Sequence, residues 1–146
     1  MAEIQVHAER TIDAPAERVY AAIADLTNRS TWVPAAYSNV HLERREEEQG
    51  TVLDYHLETG RRARDYRMDV TEPEPGHTLR ERDTTSSLVK TWTVQADGSG
   101  SRVSINTRWS GASGIGGFFE RTFAPRALTQ LYGEELDALA AYVSET

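Results

Sequence analysis

The feature that most constrains the fold is a long amphipathic segment near the end of the chain. It follows a glycine-rich stretch, Gly111–Gly117, and runs from Phe118 to about Ser144. Its apolar residues recur at intervals typical of one face of an α-helix. They are Phe119, Phe123, Leu128, Leu131, Tyr132, Leu136, Leu139, Ala140 and Val143. About 28 helical residues would extend roughly 42 Å, so the pattern predicts a helix that crosses a small domain and bends or divides at Pro125.

Most of the chain before that segment has the pattern of β-strands. Apolar residues alternate with polar ones from Ile4 to Ile12, which predicts a first strand. We expect Pro15 in the first turn of a short helix that ends near Leu26, followed by a second short turn that carries Trp32. Six strand-like runs come next, separated by turn residues. They cover residues 38–45, 51–58, 61–72, 77–83, 87–96 and 101–110.

The turn positions predict how these strands pair. Turns at residues 59–60, 84–85 and 97–100 would form antiparallel hairpins. The predicted partners are Leu57 with Arg62, Tyr55 with Arg64, Glu81 with Leu88, Leu79 with Lys90, and Val94 with Val103. All three registers place one set of side chains on a common inner face. That set is Leu53, Tyr55, Leu57, Tyr66, Met68, Val70, Leu79, Trp92, Val94, Val103, Ile105 and Trp109.

Four charged residues share the parity of the inner face: Arg64, Glu81, Asp83 and Lys90. The predicted register places Met68 beside Glu81. Because a buried charge without a partner is costly, we expect these groups to form pairs or to lie at the wet mouth of a cavity. Two interpretations stay open. The charges either face water near strand ends, or they orient the polar part of a mostly apolar ligand.

The composition excludes several classes of function. The 146 residues, 38% hydrophobic and 27% charged, suit one globular domain over residues 1–146. A net charge of -7 disfavours nucleic acids and anionic membranes as partners. The absence of cysteine excludes disulfides and cysteine-based zinc sites. No signal peptide and no apolar run of ~18 residues is found, so we expect a cytoplasmic protein without a membrane span.

The order of these elements resembles the START-like helix-grip superfamily, also called SRPBCC, and within it the polyketide cyclase/dehydrase-like branch. The local matches are Ala14–Asp25, Trp32–Pro34, the hairpin Asp97–Val103 and the glycine-rich entry to the last helix. The resemblance implies an α+β fold in which a curved antiparallel sheet of about seven strands wraps around the long C-terminal helix. It also implies two short helices after the first strand, and a ligand held between sheet and helix.

Carried over to this chain, the resemblance implies a set of ligand-binding residues, to which the inward charge pattern adds Lys90. The set is Trp32, Tyr55, Tyr66, Met68, Glu81, Lys90, Trp92, Trp109, Phe119 and Phe123. Each aromatic residue has an alternative interpretation as plain core. The glycine-rich stretch lacks the spacing and the lysine of a phosphate-binding loop. We therefore interpret Gly111–Gly117 as a hinge, which would gate the cavity in one reading.

The search for catalytic and metal sites yields few candidates. The histidines His7, His41, His56 and His77 are scattered, without the spacing of metal ligands. Glu81 and Asp83 are candidates for an acid–base pair, although an ion-paired pocket rim is the favoured interpretation. Arg64 and Tyr66 are candidates for polarising a carbonyl group.

These observations predict a protein, monomeric or homodimeric, that binds a small hydrophobic or polyketide-like molecule without a cofactor or metal. Two alternatives stay open. One is a cofactor-independent polyketide cyclase, aromatase or dehydratase, and the other is a protein-interaction module.

Overall fold

A computed structural model describes residues 3–44, 50–59, 62–110 and 124–144. In chain order the elements are β1 (Glu3–Ile12), α1 (Ala16–Ala24), a 3-10 helix (Leu26–Asn28), α2 (Arg29–Trp32), β2 (Tyr37–Arg44), β3 (Thr51–Thr59), β4 (Arg62–Glu74), β5 (Thr78–Asp83), β6 (Val89–Asp97), β7 (Gly100–Ser110) and α3 (Ala124–Ser144). The strands form one antiparallel sheet in the order β1-β7-β6-β5-β4-β3-β2. The expected helix-grip α+β fold is confirmed. None of the described helices is long and apolar enough to cross a membrane.

The short helix α1 is amphipathic and buries Val19, Tyr20 and Ile23. Its position differs slightly from the prediction, because Pro15 is the N-cap residue and not part of the first turn. The backbone there has ψ of 145°, an extended conformation that proline adopts readily. The helix packs against β6, β7 and α3, and it is followed at once by the 3-10 helix and α2.

The strand pairing agrees with the predicted inner face but differs in register at three interfaces. Tyr55 pairs with Tyr66 and not with Arg64, and Glu81 pairs with Lys90 and not with Leu88. Between β4 and β5, Met68 pairs with Asp83 and not with Glu81. Each shift is two residues, which exchanges the partners and keeps every side chain on its predicted face. The β6–β7 hairpin has the predicted register, with Val94 opposite Val103.

A β-bulge in β2 brings two apolar side chains to the same face. Tyr37 pairs with Leu57 and Leu42 pairs with Leu53, with a register shift between Ser38 and His41. In a regular strand, residues 37 and 42 would point to opposite faces. One extra residue in the bulge corrects the alternation. Simple alternation in the sequence does not predict this, and Tyr37 was not among the expected site residues.

The core lies between the inner face of the sheet and α3. Every member of the predicted inner face is buried except Tyr66, which is half-buried. The helix α3 contributes the buried stripe Leu128, Leu131, Tyr132, Leu136, Leu139 and Val143. It packs mainly against β1, with further contacts to α1 and β3. The predicted hinge Gly111–Gly117 lies outside the described residues, and so do residues 118–123, where the long helix was expected to begin.

Candidate functional site

Two buried ion pairs lie in the space between sheet and helix. Arg29 Nη1 on α2 is 3.2 Å from Glu81 Oε2 on β5, and Lys90 Nζ on β6 is 2.9 Å from Glu135 Oε2 on α3. All four residues are at most 3% exposed. Two cations and two anions balance, as buried charges require. The expectation that the inward charges form pairs is therefore confirmed, although Arg29 and Glu135 were not predicted as partners.

The ring of Trp92 lies between the two pairs. Its Nε1 donates a hydrogen bond of 2.8 Å to Glu81 Oε2. Lys90 Nζ lies 4.9 Å from the centre of the ring and the guanidinium carbon of Arg29 lies 5.3 Å from it. Both are cation–π distances. On the far side, Tyr37 donates a hydrogen bond of 2.7 Å to Glu135 Oε1, so aromatic donors hold both carboxylates.

This environment sets the protonation of the buried groups. Burial by itself raises the pKa of the Glu81 carboxyl, but the charges of Arg29 and Lys90 and the hydrogen bonds from Trp92 and Arg29 outweigh it, so that the pKa is below its ordinary value. Burial, together with the charge of Glu135, raises the pKa of Tyr37 well above its ordinary value. Glu81 is therefore a carboxylate, and Tyr37 is a neutral hydrogen-bond donor.

The interior around these pairs is almost filled. The void beside them has a volume of about 10 Å³, and its walls include Tyr55, Glu81 and Lys90. A drug-sized ligand needs a pocket of roughly 300–1,000 Å³. Tyr55, which lines this void, and Tyr66, which lines a larger cavity, stack with their ring centres 5.4 Å apart.

That larger cavity lies where β3, β4 and the 84–88 loop meet the described beginning of α3. Its volume is about 430 Å³. The apolar part of its wall consists of Leu57, Ala63, Tyr66, Leu88, Trp109 and Leu128. The polar part consists of Thr59, Arg62, Arg64, Ser86, Ser87 and Ser110. Half of the lining residues are thus apolar and half are polar, and two aromatic rings, those of Tyr66 and Trp109, belong to the apolar half.

Arg64 is held in a fixed position on the wall of this cavity. Its Nη2 donates to Asp83 Oδ2 at 2.7 Å and to Thr85 Oγ1 at 2.9 Å. The guanidinium carbon lies 4.5 Å from the centre of the Tyr66 ring. Because the ion pair and the ring both restrict the side chain, its remaining N–H groups are oriented without help from a ligand.

The Asp83 carboxylate is occupied by neighbouring donors. Besides Arg64, it accepts hydrogen bonds from the backbone N–H of Thr85 at 3.1 Å and from Ser86 Oγ at 2.6 Å. Burial by itself raises the pKa of Asp83, but the hydrogen bonds from Ser86 and Thr85 and the charge of Arg64 outweigh it and lower the pKa. Asp83 therefore shapes the loop and anchors Arg64.

A second cavity, of about 420 Å³, lies where α1 and the 3-10 helix meet β2–β5. Leu26, Leu42, Val70 and Leu79 form its apolar wall, and Asp25, Arg44 and Glu72 also line it. No aromatic side chain is among the described residues that line it. The cavity beside Trp109 is thus the better match for a flat, apolar ligand.

The structure divides the sequence-predicted site residues into four groups. Arg64, Tyr66 and Trp109 line the cavity of about 430 Å³, whereas Tyr55, Glu81 and Lys90 line the small void. Trp32, Met68 and Trp92 are buried in the core. Neither they nor Asp83 are among the described residues that line the cavity of about 430 Å³ or the small void. Phe119 and Phe123 lie outside the described residues.

Two of the missed residues could have been found in the sequence. Glu135 lies on the apolar stripe of α3, between Tyr132 and Leu136, and a charge on such a stripe signals a buried partner. Leu128 belongs to the same stripe. Arg29 gives no comparable signal, because α2 has only four residues, too few for a pattern.

The fold belongs to the START-like helix-grip class, as the sequence resemblance indicated. Residues 3–144 match the family described as polyketide cyclase/dehydrase and lipid transport. The chain belongs to this family. No protein of curated function matches the sequence.

Solved structures agree with this assignment. The KanY protein, determined by NMR, is 36% identical, with 99% of each chain covered and a TM-score of 0.83. The Zhui aromatase/cyclase from Streptomyces sp. R1128 is 16% identical, with 98% of this chain and 94% of that chain covered and a TM-score of 0.78. A START superfamily protein from Mycobacterium smegmatis is 12% identical, with 97% of each chain covered and a TM-score of 0.76. The last two similarities concern the fold alone.

Proposed function

We propose that this protein binds a small, largely apolar molecule in the cavity beside Tyr66 and Trp109. The observation that carries the proposal is this cavity of about 430 Å³, which has an aromatic and aliphatic wall and two arginines at one side. Its volume lies within the range of known ligand sites, roughly 300–1,000 Å³. The ligand would lie at one end of the sheet, because the centre of the molecule is filled by ion pairs.

The arginines indicate which end of the ligand is polar. Arg62 and Arg64 both line the cavity, and none of its described lining residues carries a negative charge. Arg64 is already oriented by Asp83. A ligand with carbonyl, phenolic or acidic oxygens at one end would place that end against the arginines and its apolar body against Trp109 and Leu128.

An enzyme of the cyclase, aromatase or dehydratase type is the second candidate. It is favoured by the family description and by the position of Arg64 and Tyr66 in one cavity, where they would polarise a substrate carbonyl. A cyclisation or dehydration also needs a proton acceptor. The described lining residues include no carboxylate and no histidine. The Glu81 carboxylate is paired with Arg29 in the interior, and the Asp83 carboxylate is paired with Arg64 behind the cavity wall. Binding or carriage is therefore the stronger proposal.

The same substitution in each cavity tests where the ligand binds. Leu88 lines the cavity beside Trp109 and Leu26 lines the other one, and both are half-buried. The probe is N-phenyl-1-naphthylamine, a neutral apolar fluorophore, titrated against wild type, Leu88→Glu and Leu26→Glu. We expect saturable binding that Leu88→Glu weakens at least about tenfold, since a charge placed in an apolar site costs more than ~1.4 kcal/mol. Leu26→Glu should retain the wild-type affinity.

Two results would count against the proposal. One is the absence of saturable binding by the wild-type protein. The other is a loss of affinity in Leu26→Glu with none in Leu88→Glu, which would move the site to the opposite end of the sheet.

A further inference from the structure

Within the described residues, one buried ion pair has two polar atoms that make no hydrogen bond. They are Arg29 Nε and Glu81 Oε1. Arg29 uses Nη1 for Glu81 Oε2 at 3.2 Å and Nη2 for the carbonyl oxygen of Ile23 at 2.8 Å. Glu81 Oε2 also accepts the bond from Trp92. One carboxylate oxygen thus receives two donors and the other none, an imbalance that costs free energy when the group is buried.

The void described above lies against both residues. Arg29 and Glu81 form part of its wall, and Tyr37, Lys90 and Glu135 form another part. Its volume of about 10 Å³ is close to the smallest space that holds one water molecule, ~10–15 Å³. The remaining wall includes Val33, Val40 and Leu53. The space is thus polar on several sides and too small for an organic group.

We propose that one internal water molecule occupies this void and bridges Arg29 Nε to Glu81 Oε1. The N–H of Arg29 Nε would donate to the water oxygen, and the water would donate to Glu81 Oε1. Its second hydrogen would face the oxygen atoms of Tyr37 or Glu135. This bridge satisfies a donor and an acceptor at once, and a buried water typically makes about three such bonds.

The charge balance identifies the occupant as water and not as an ion. Arg29 and Lys90 neutralise Glu81 and Glu135, so an added cation or anion would leave the buried cluster with a net charge. A neutral molecule that both donates and accepts is required. The bridge would connect the two ion pairs into one hydrogen-bonded network from α2 to α3. This inference is independent of the proposed ligand.

The direct test is a crystal structure of the ligand-free wild-type protein at about 1.5 Å resolution. We expect one water oxygen within about 2.7–3.2 Å of both Arg29 Nε and Glu81 Oε1. The proposal is overturned by ordered side chains around a void without density, by a rotated Glu81 whose Oε1 accepts from a protein donor, or by an ion in the density.

Oxygen-17 magnetic relaxation dispersion, which counts long-lived internal waters, gives a second test in solution. Val40→Ile adds one methylene group at the wall of the void. Val89→Ile adds the same group on the outer face of β6, on the opposite side from Lys90 and Trp92, and serves as the control. We expect Val40→Ile to lose one long-lived water relative to wild type and Val89→Ile to lose none. Equal counts in all three proteins would contradict the assignment.

Discussion

Lys90 and Glu135 are 45 residues apart in the chain, yet Lys90 Nζ lies 2.9 Å from Glu135 Oε2. Lys90 belongs to the middle of the sheet, and Glu135 belongs to the helix that covers it. Both side chains are at most 3% exposed. Because either charge would be unpaired if the helix were displaced, we infer that the pair defines the position of α3 on the sheet.

Removing one partner of this pair should be strongly destabilising. Lys90→Met leaves Glu135 as a buried charge, and we expect the free energy of unfolding to fall by about 3–5 kcal/mol. The double variant Lys90→Met/Glu135→Gln should recover part of the loss, because the hydrogen bond from Tyr37 can persist without the charge. Urea denaturation at neutral pH measures both.

The matched control is Arg67→Met on the outer face of the sheet. Arg67 pairs with Glu43 and Asp54, and its side chain is 43% exposed. We expect a loss below about 1 kcal/mol there. A loss in Lys90→Met no larger than that in Arg67→Met would show that the interior pair does not specify the helix position.

Acid should destabilise the protein through Glu81 and Asp83. Both carboxyls have pKa values lowered in the folded state, from ordinary values of 4.5 and 3.8. The unfolded chain therefore binds more protons as the pH falls below about 5, and the stability is lost progressively through the folded pKa values. Urea denaturation between pH 7 and pH 3 should show a free energy of unfolding that declines below pH 5. A flat profile down to pH 3.5 would contradict this prediction.

His56 should act in the opposite direction. His56 Nδ1 lies 2.8 Å from Asp65 Oδ1 on the surface of the sheet. The hydrogen bond between them raises the pKa of His56 above its ordinary value of 6.5. Its contribution is therefore present at acidic pH and is lost as the pH rises through the folded pKa. Titration by NMR should place the His56 midpoint above 6.5 in the wild type and lower it in Asp65→Asn. Equal midpoints in the two proteins would refute the pairing.

Gly100 should not tolerate a side chain. A Cβ at this position would lie 2.8 Å from the carbonyl oxygen of Ile12, where β7 begins beside the end of β1. Such a contact forces a backbone shift, so Gly100→Ala should lower the melting temperature. Gly133→Ala is the matched control, because its Cβ would meet nothing within 4 Å. That change lies inside α3 and should stabilise the protein by about 0.5–1 kcal/mol. Equal effects of the two substitutions would be inconsistent with the close approach at Gly100.

Arg64 should favour ligands that carry a negative charge. The sulfonate probe 1-anilinonaphthalene-8-sulfonate and neutral N-phenyl-1-naphthylamine are titrated against the wild type and Arg64→Met. We expect Arg64→Met to weaken binding of the sulfonate by about tenfold, since a charged hydrogen bond contributes ~1.5–3 kcal/mol. Binding of the neutral probe should change less than about twofold. Arg67→Met, outside the cavity, should change neither affinity. Equal losses for both probes would mean that Arg64 acts by shaping the cavity and not by its charge.

The sequence alone determined the layers of this fold and the inward face of the strands β3 to β7, whereas the bulge in β2 was not visible in it. Within each strand, inward-facing residues such as Leu53, Met68 and Trp92 are separated from the other inward-facing residues by an even number of positions. That alternation can be read from a short stretch of sequence. The pairing register between neighbouring strands could not be predicted as well from the sequence. Tyr55 pairs with Tyr66 because β3 and β4 remain paired as far as Thr59 and Arg62, one position beyond the predicted turn, which shifts every partner by two and leaves the alternation unchanged.

The site itself was decided by tertiary structure. The sequence indicated that Glu81 and Lys90 point inward, but not that Arg29 and Glu135 would meet them, because those residues come from two different helices. Once they meet, the four charges and Trp92 fill the centre, and the larger spaces lie at the two ends of the sheet, one of them beside Trp109. Patterns along a chain report which side chains are buried, whereas the volume left among them depends on how distant elements pack.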